Sequence, residues 1–262
     1  MQSRTALNEE IEMKTPSVML SGVANAVERI DLNRTAPPPA TQTYQPVRHG
    51  DLVDMIEDKL GEAGLRFGEQ SHALWRDGDA RYFGMMQLLG GDVQNPEYAL
   101  MLGIRNSYDM SISAQMLLGA NVFLCANMSY SASNIIGRKH TTHIMRDLPM
   151  LIQIQVEQTV VYAKQQDERF SQYRDHKITD ARADRLMIQM LRQGAIQSSR
   201  FSKLVNEWYE PRFDHGPKRA WRLFNGCTEA LKGTPVHDLP KRTLALQKII
   251  DSEAGVEFAQ AA

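Results

Sequence analysis

Cysteine is nearly absent: the 262-residue chain holds two, Cys125 and Cys227. Two thiols cannot build a disulfide framework, so a reducing, cytoplasmic setting is expected. No run of about 18 apolar residues occurs, which excludes a helical membrane span. The opening segment from Met1 to Lys14 carries acids and no apolar stretch, so it does not read as a secretory signal. Several chemical signatures are missing as well. There is no GxxxxGK[S/T] phosphate loop, no GxGxxG fingerprint, no HExxH, no paired CxxC and no GxSxG elbow. ATP hydrolysis on a phosphate loop, dinucleotide redox chemistry, local zinc motifs and elbow-type hydrolysis therefore have no support, and neither cofactor nor metal is expected.

What is present is enough apolar material, 42% of residues, for one large core. The net charge of −1 conceals an asymmetry. Residues 1–137 hold 10 basic against 16 acidic side chains, whereas residues 138–222 hold 16 against 10. A basic middle suits a polyanion surface, and it suits equally a solvated helical face richer in arginine than aspartate.

Three consecutive prolines, Pro37–Pro39, set residues 35–41 as an extended linker. Residues 1–46 are thus expected to form an arm, with a short helix around Val18–Ile30. The main domain should span 47–235, and 236–262 should be a terminal helix and tail. Leu52, Val53, Ile56 and Leu60 share one face of a helix over His49–Leu60. Four strands are expected at Leu65–Trp75, Arg81–Leu89, Tyr98–Arg105 and Ala114–Ala126, with an Asp77-Gly78 turn and a bulge at Gly119. Short connections favour an antiparallel meander. Beyond His143 the period changes to 3.6, giving a long amphipathic helix over Ile144–Tyr173 and shorter ones at Ala181–Gln193, Ser202–Trp208, Pro217–Leu231 and Lys241–Ile250. The class is α+β: a meander, a long helix, then a helical C-terminal half.

The polar residues between Tyr98 and His143 carry the chemistry. Arg105-Asn106-Ser107-Tyr108-Asp109 lies where a strand ends, a turn-forming composition with unusually varied functional groups. Arg138-Lys139-His140-Thr141 precedes the long helix, where free N–H groups and the dipole favour an anion. The plain reading is that Thr141 or Thr142 caps the helix. His140 and His143 are spaced to share a metal but lack further local ligands. Cys125, inside an apolar run, reads as a buried thiol. Lys218-Arg219-Ala220-Trp221-Arg222 interleaves cations with an aromatic, as base-stacking surfaces do. The i,i+3 spacing of Trp221 and Phe224 favours packing.

These residues also carry a resemblance. Arg105, Ser107 and Asp109, then Cys125 and Asn127, then Arg138, His140 and Thr141, then Trp221, Asn225, Thr228 and Glu229 resemble the pattern of the uncharacterised phage- and plasmid-like family termed domain of unknown function nine-three-two. The likeness covers roughly residues 49–235 and implies a mobile-element context. The meander followed by a long helix also resembles, in architecture, the annealing core of Rad52-type proteins, which form rings on single-stranded DNA. Together these imply a nucleic-acid-binding protein, with single-stranded DNA the favoured partner, an annealing or recombination role, and homo-oligomers. Phosphates would be met by Arg105, Ser107, Asp109, Asn127, Arg138, Lys139, His140 and Thr141. Lys218, Arg219 and Arg222 would extend the track, with Trp221 stacking. One alternative is an enzyme acting on a phosphate-containing substrate in a pocket of Asp109, Cys125, Asn127, His140 and His143. The other is a host-interaction or structural protein.

Overall fold

In a computed structural model, residues 24–257 are described apart from 76, 91–92, 94, 96–97, 123–126 and 236–237, and the side chains of 24, 77 and 121–134 are not described. Six strands form one antiparallel sheet in sequence order: β1 (Ala24–Val27), β2 (Arg66–Trp75), β3 (Arg81–Leu89), β4 (Tyr98–Ser107), β5 (Ala114–Val122) and β6 (Asn127–Arg138). Helix α1 (His49–Glu62) precedes β2. Helices α2 (Ile144–Asp175), α3 (Asp180–Arg192), α4 (Ser198–Tyr209), α5 (Ala220–Leu231) and α6 (Leu239–Ala254) follow β6. This is the expected α+β order.

The central strands are apolar on both faces, so they read as continuous runs rather than alternating ones. One face presents Tyr82, Met86, Leu100, Leu102, Ile104, Met116 and Leu118 to a core that also takes Leu52 and Ile56 of α1 and Leu148 and Ile152 of α2. The other buries Phe83, Met85, Ala99, Met101 and Leu117. Near Asp77–Asp79 the chain reverses through left-handed Gly78 (φ 65°) and Asp79 (φ 56°). The β5–β6 register shifts between Leu117 and Gly119, where the bulge was expected.

Three sequence expectations change. The helix around Val18–Ile30 is not found in its described part: Ala24–Val27 instead pairs antiparallel with His72–Trp75, and Arg29–Asn33 makes a short 3-10 turn. Of these four residues only Val27 favours a strand, so the pairing with β2 supplies it, and Leu32 enters the core. β6 went unrecognised because Ser129, Ser131 and Ser133 hide its strand character, which its pairing to β5 supplies. Pro217 does not open α5, which starts at Ala220 after Arg219, because backbone bonds from Ile178 to Lys218 and Ala220 to His176 hold the segment extended.

The helical half is built around α5, whose residues Leu223–Leu231 are all buried. Phe224 meets Phe170, Tyr173 and Trp221 at ring-centroid distances of 5.5, 5.4 and 5.9 Å. Burying a side chain of this size stabilises by about 1.5–3 kcal/mol. Thr179 caps α3 by accepting from the Arg182 N–H, and left-handed Gly194 (φ 70°) follows its end. The α6 helix packs on β6 and α5, so the C-terminal segment is part of this body.

Candidate functional site

The β4 strand carries the local sequence Ile104-Arg105-Asn106-Ser107. Alternation sends Asn106 into the interior. A buried amide must be satisfied, and it is. Asn106 is 0% exposed; its Nδ2 donates to the Val47 carbonyl at 2.8 Å and contacts His49 Nδ1 at 3.0 Å. Its Oδ1 lies 2.7 Å from His140 Nε2. The Val47 carbonyl can only accept, which fixes the amide orientation. Oδ1 therefore faces His140, and His140 Nε2 must carry a proton. The other end agrees: His49 Nδ1 accepts from Asn106, so His49 Nε2 carries the proton and donates to the Asp79 carbonyl at 3.1 Å. Both imidazoles are fixed as Nε2–H tautomers when neutral. Burial lowers both pKa values, that of His49 to about 4.

Aromatic rings brace this chain of bonds. Tyr108 stacks on His49 at 4.0 Å and its hydroxyl accepts from the His49 N–H. Tyr44 donates to the Tyr108 carbonyl and lies 5.8 Å from the His140 ring. The loop carrying Tyr44 is tied to the same place, because Gln45 N–H donates to the His140 carbonyl. None of Tyr44, His49, Asn106 or Tyr108 was singled out from sequence, although Asn106 and Tyr108 lie inside the polar cluster that drew attention.

Beside this buried network opens a cleft of about 560 Å³ lined by Thr43, Tyr44, Arg105, Met110, Ser111, Ile112, Ser113, Gln115, Lys139, His140 and Thr141. Four of the expected residues meet here: Arg105, Lys139, His140 and Thr141. Arg105 is half-buried, Lys139 exposed. Thr141 Oγ1 is buried and has no hydrogen-bond partner. No side chain caps the start of α2.

The chain belongs to the DUF932 family. Its model, described as Domain of unknown function (DUF932), matches residues 40–242, more than half the chain and the whole cleft. No curated protein and no solved structure matches.

Other expected residues of this family member sit elsewhere or serve the fold. Ser107 Oγ bridges the Ile112 carbonyl and N–H, closing the β4–β5 loop. Asp109 pairs with Arg81 at 2.7 Å and accepts from Ser111. Burial pushes its carboxyl up, but the Ser111 bonds and the Arg81 guanidinium outweigh that and hold it at about 2. Arg138 is paired with Asp147 at 2.6 Å. Asn127 pairs with Val122, whereas Arg138 pairs with Ala114. The two ends of that ladder lie about 26 Å apart, the eight β5 steps from Ala114 to Val122 at about 3.3 Å per residue. The pocket that would have gathered Asn127 with His140 is therefore not formed. Cys125 lies outside the described residues, and His143 is exposed. Among the described residues no group of three His, Cys, Asp or Glu side chains is placed to hold a metal.

Lys218, Arg219, Trp221 and Arg222 lie at the other end of α2. Lys218 pairs with Asp180 at 2.7 Å. Arg219 donates to the Arg174 carbonyl. Arg222 donates to the carbonyls of Trp208, Gly216 and Tyr209. Trp221 packs against Phe170 and Phe224, with the Arg174 guanidinium 4.9 Å above its ring. Helix α2 is 32 residues long, about 48 Å at about 1.5 Å per residue. The two basic groups do not form one continuous site.

Glu229, from the family-like motif on α5, is 1% exposed and meets Lys203, Arg212 and Lys232 at 3.2, 3.4 and 2.5 Å. Burial pushes its carboxyl up, but the bonds from Lys232 and Lys203 outweigh this and keep it ionised. Asn225 and Thr228 bond to carbonyls of their own helix. This motif organises α5 against α4.

Proposed function

We propose that the protein binds single-stranded nucleic acid by gripping its phosphates in the cleft at the start of α2, with DNA the favoured strand and the cytoplasm the setting. The observation that carries this is the meeting of Arg105, Lys139 and the unpartnered Thr141 hydroxyl around one cleft just before α2. Two cations and a hydroxyl donor suit a phosphate. The cleft is partly open to solvent, which lets a chain lie in it. The acidic side chains nearest in sequence are already neutralised, Asp109 by Arg81 and Asp147 by Arg138 and Arg146. Annealing or recombination on such a strand, in a phage or plasmid setting and through homo-oligomers, is the use that the meander-and-long-helix architecture suits.

The test is single-stranded DNA affinity at two salt concentrations. Binding should fall steeply as salt rises, through counterion release. The double variant Arg105→Ala, Lys139→Ala should lose most of the affinity while remaining folded. Absence of binding by the unaltered protein at low salt would sink the idea.

A further inference from the structure

His140 is 7% exposed and borders the cleft. Its Nε2 is held by Asn106 Oδ1. The amide orientation is imposed by the Val47 carbonyl, so the proton on the neutral ring is fixed at Nε2. Nδ1 is then a bare acceptor, and no described residue donates to it. Around this ring stand Tyr44 before α1, His49 of α1, Arg105 and Asn106 of β4, and Lys139 beside it. The hydroxyls of this cleft can either donate or accept, whereas Nδ1 of the neutral ring can only accept.

We infer that His140 Nδ1 is a fixed hydrogen-bond acceptor that selects ligands carrying an O–H or N–H donor beside the phosphate. This rests on the phosphate-binding reading of the same cleft and adds to it a specificity: a bare phosphodiester satisfies Arg105, Lys139 and Thr141, but only a ligand with a neighbouring donor satisfies His140. In a nucleic-acid strand that donor is either the ribose 2′-hydroxyl or the base N–H. Asn106 is a positioning residue, because it sets which ring nitrogen is bare.

Three strands of equal length separate the sources: oligouridylate, its 2′-deoxy counterpart, and the 2′-deoxy strand methylated at the base N3. The first substitution removes the sugar donor and the second the base donor. One of the two removals should cost about fivefold to tenfold in affinity, the worth of one hydrogen bond left unmade in a desolvated site. That cost should disappear in His140→Ala. The unaltered protein supplies a second readout that needs no variant. Burial lowers the His140 value, so only as pH falls well below the usual histidine value of about 6.5 does His140 gain a proton and Nδ1 become a donor. The discrimination should then vanish while affinity for all three strands rises. Equal affinity for the three strands near neutral pH overturns the acceptor role and leaves phosphate binding standing. Discrimination that survives both His140→Ala and acid also overturns it. Failure of all three strands to bind at low salt overturns the phosphate reading instead.

Discussion

The two ends of α2 look alike in sequence and differ in what their cations do. Before its first turn stand Arg138, Lys139 and His140; beyond its last stand Lys218, Arg219 and Arg222, with Trp221 among them. At the far end the charges are turned inward. Lys218 meets Asp180, Arg219 and Arg222 meet carbonyls, and within the helix Arg169 is clamped with Tyr173 on Asp251. At the cleft, Arg138 is paired, but Lys139 has no carboxylate partner among the described residues and faces the same space as Arg105. A cluster of cations and aromatics is thus no evidence of a ligand site until the acceptors around it are known. Each carbonyl or carboxylate already satisfied by a cation is one less reason to bind a phosphate.

This contrast can be broken most forcefully at the far end. Asp251→Ala leaves Arg169, whose side chain is only 7% exposed, without its partner. It should destabilise by roughly 3 kcal/mol, read in chemical denaturation, with strand affinity unchanged while the protein is folded. Arg222→Ala removes three bonds to carbonyls and should cost about 1–2 kcal/mol of stability, again without altering the salt dependence of binding. A loss of affinity in folded Arg222→Ala would return the far end to the binding surface. Lys139→Ala should do the reverse. Strand binding should weaken by about fivefold and the salt slope fall by about one, with unfolding within about 0.5 kcal/mol of the parent.

Acid sharpens the comparison from the cleft side. Burial holds His49 at about 4 against an ordinary 6.5, and His72 likewise. Between these values the unfolded chain takes up protons that the folded chain refuses. Stability should therefore be full above 6.5, fall as pH drops from 6.5 toward about 4, and level off below. His49→Gln should flatten that fall in urea unfolding followed across the window. A flat profile in the unaltered protein would contradict the burial of these rings. Asp109 acts at lower pH and with the same sign: its contribution is present above its ordinary 3.8 and lost as pH falls through about 2. The smallest effect concerns Gln166, 0% exposed on α2 with both amide atoms unpartnered. Gln166→Leu should raise stability by about 1 kcal/mol.

Much of the framework was legible along the chain. The four central strands, the long helix and the shorter helices follow from period, turns and caps, because those signals are local. Thr179 and Gly194 bounded α3 as their chemistry requires. The edge strands were not legible. Ala24–Val27 and the serine-rich β6 have weak intrinsic preference and become strands only by pairing with β2 and β5. The candidate site divides the same way. Arg105, Lys139, His140 and Thr141 stood out by type, while Asn106 and His49 did not, since a buried asparagine is recognised only by the carbonyl and imidazoles that surround it.

By itself the sequence determined the α+β order, the uneven charge, the scarcity of thiols and the polar stretch between Tyr98 and His143. These depend on composition and on neighbours a few residues apart. Tertiary structure alone decided what each cation meets. It placed Asn127 at the far end of a ladder from Arg138, turned Lys218 onto Asp180 and Arg219 and Arg222 onto carbonyls, and joined Val47, Asn106 and His140 into one chain of hydrogen bonds. The physical reason is that a polar group's role is set by the partner it finds, and those partners lie from 6 to 59 residues away along the chain.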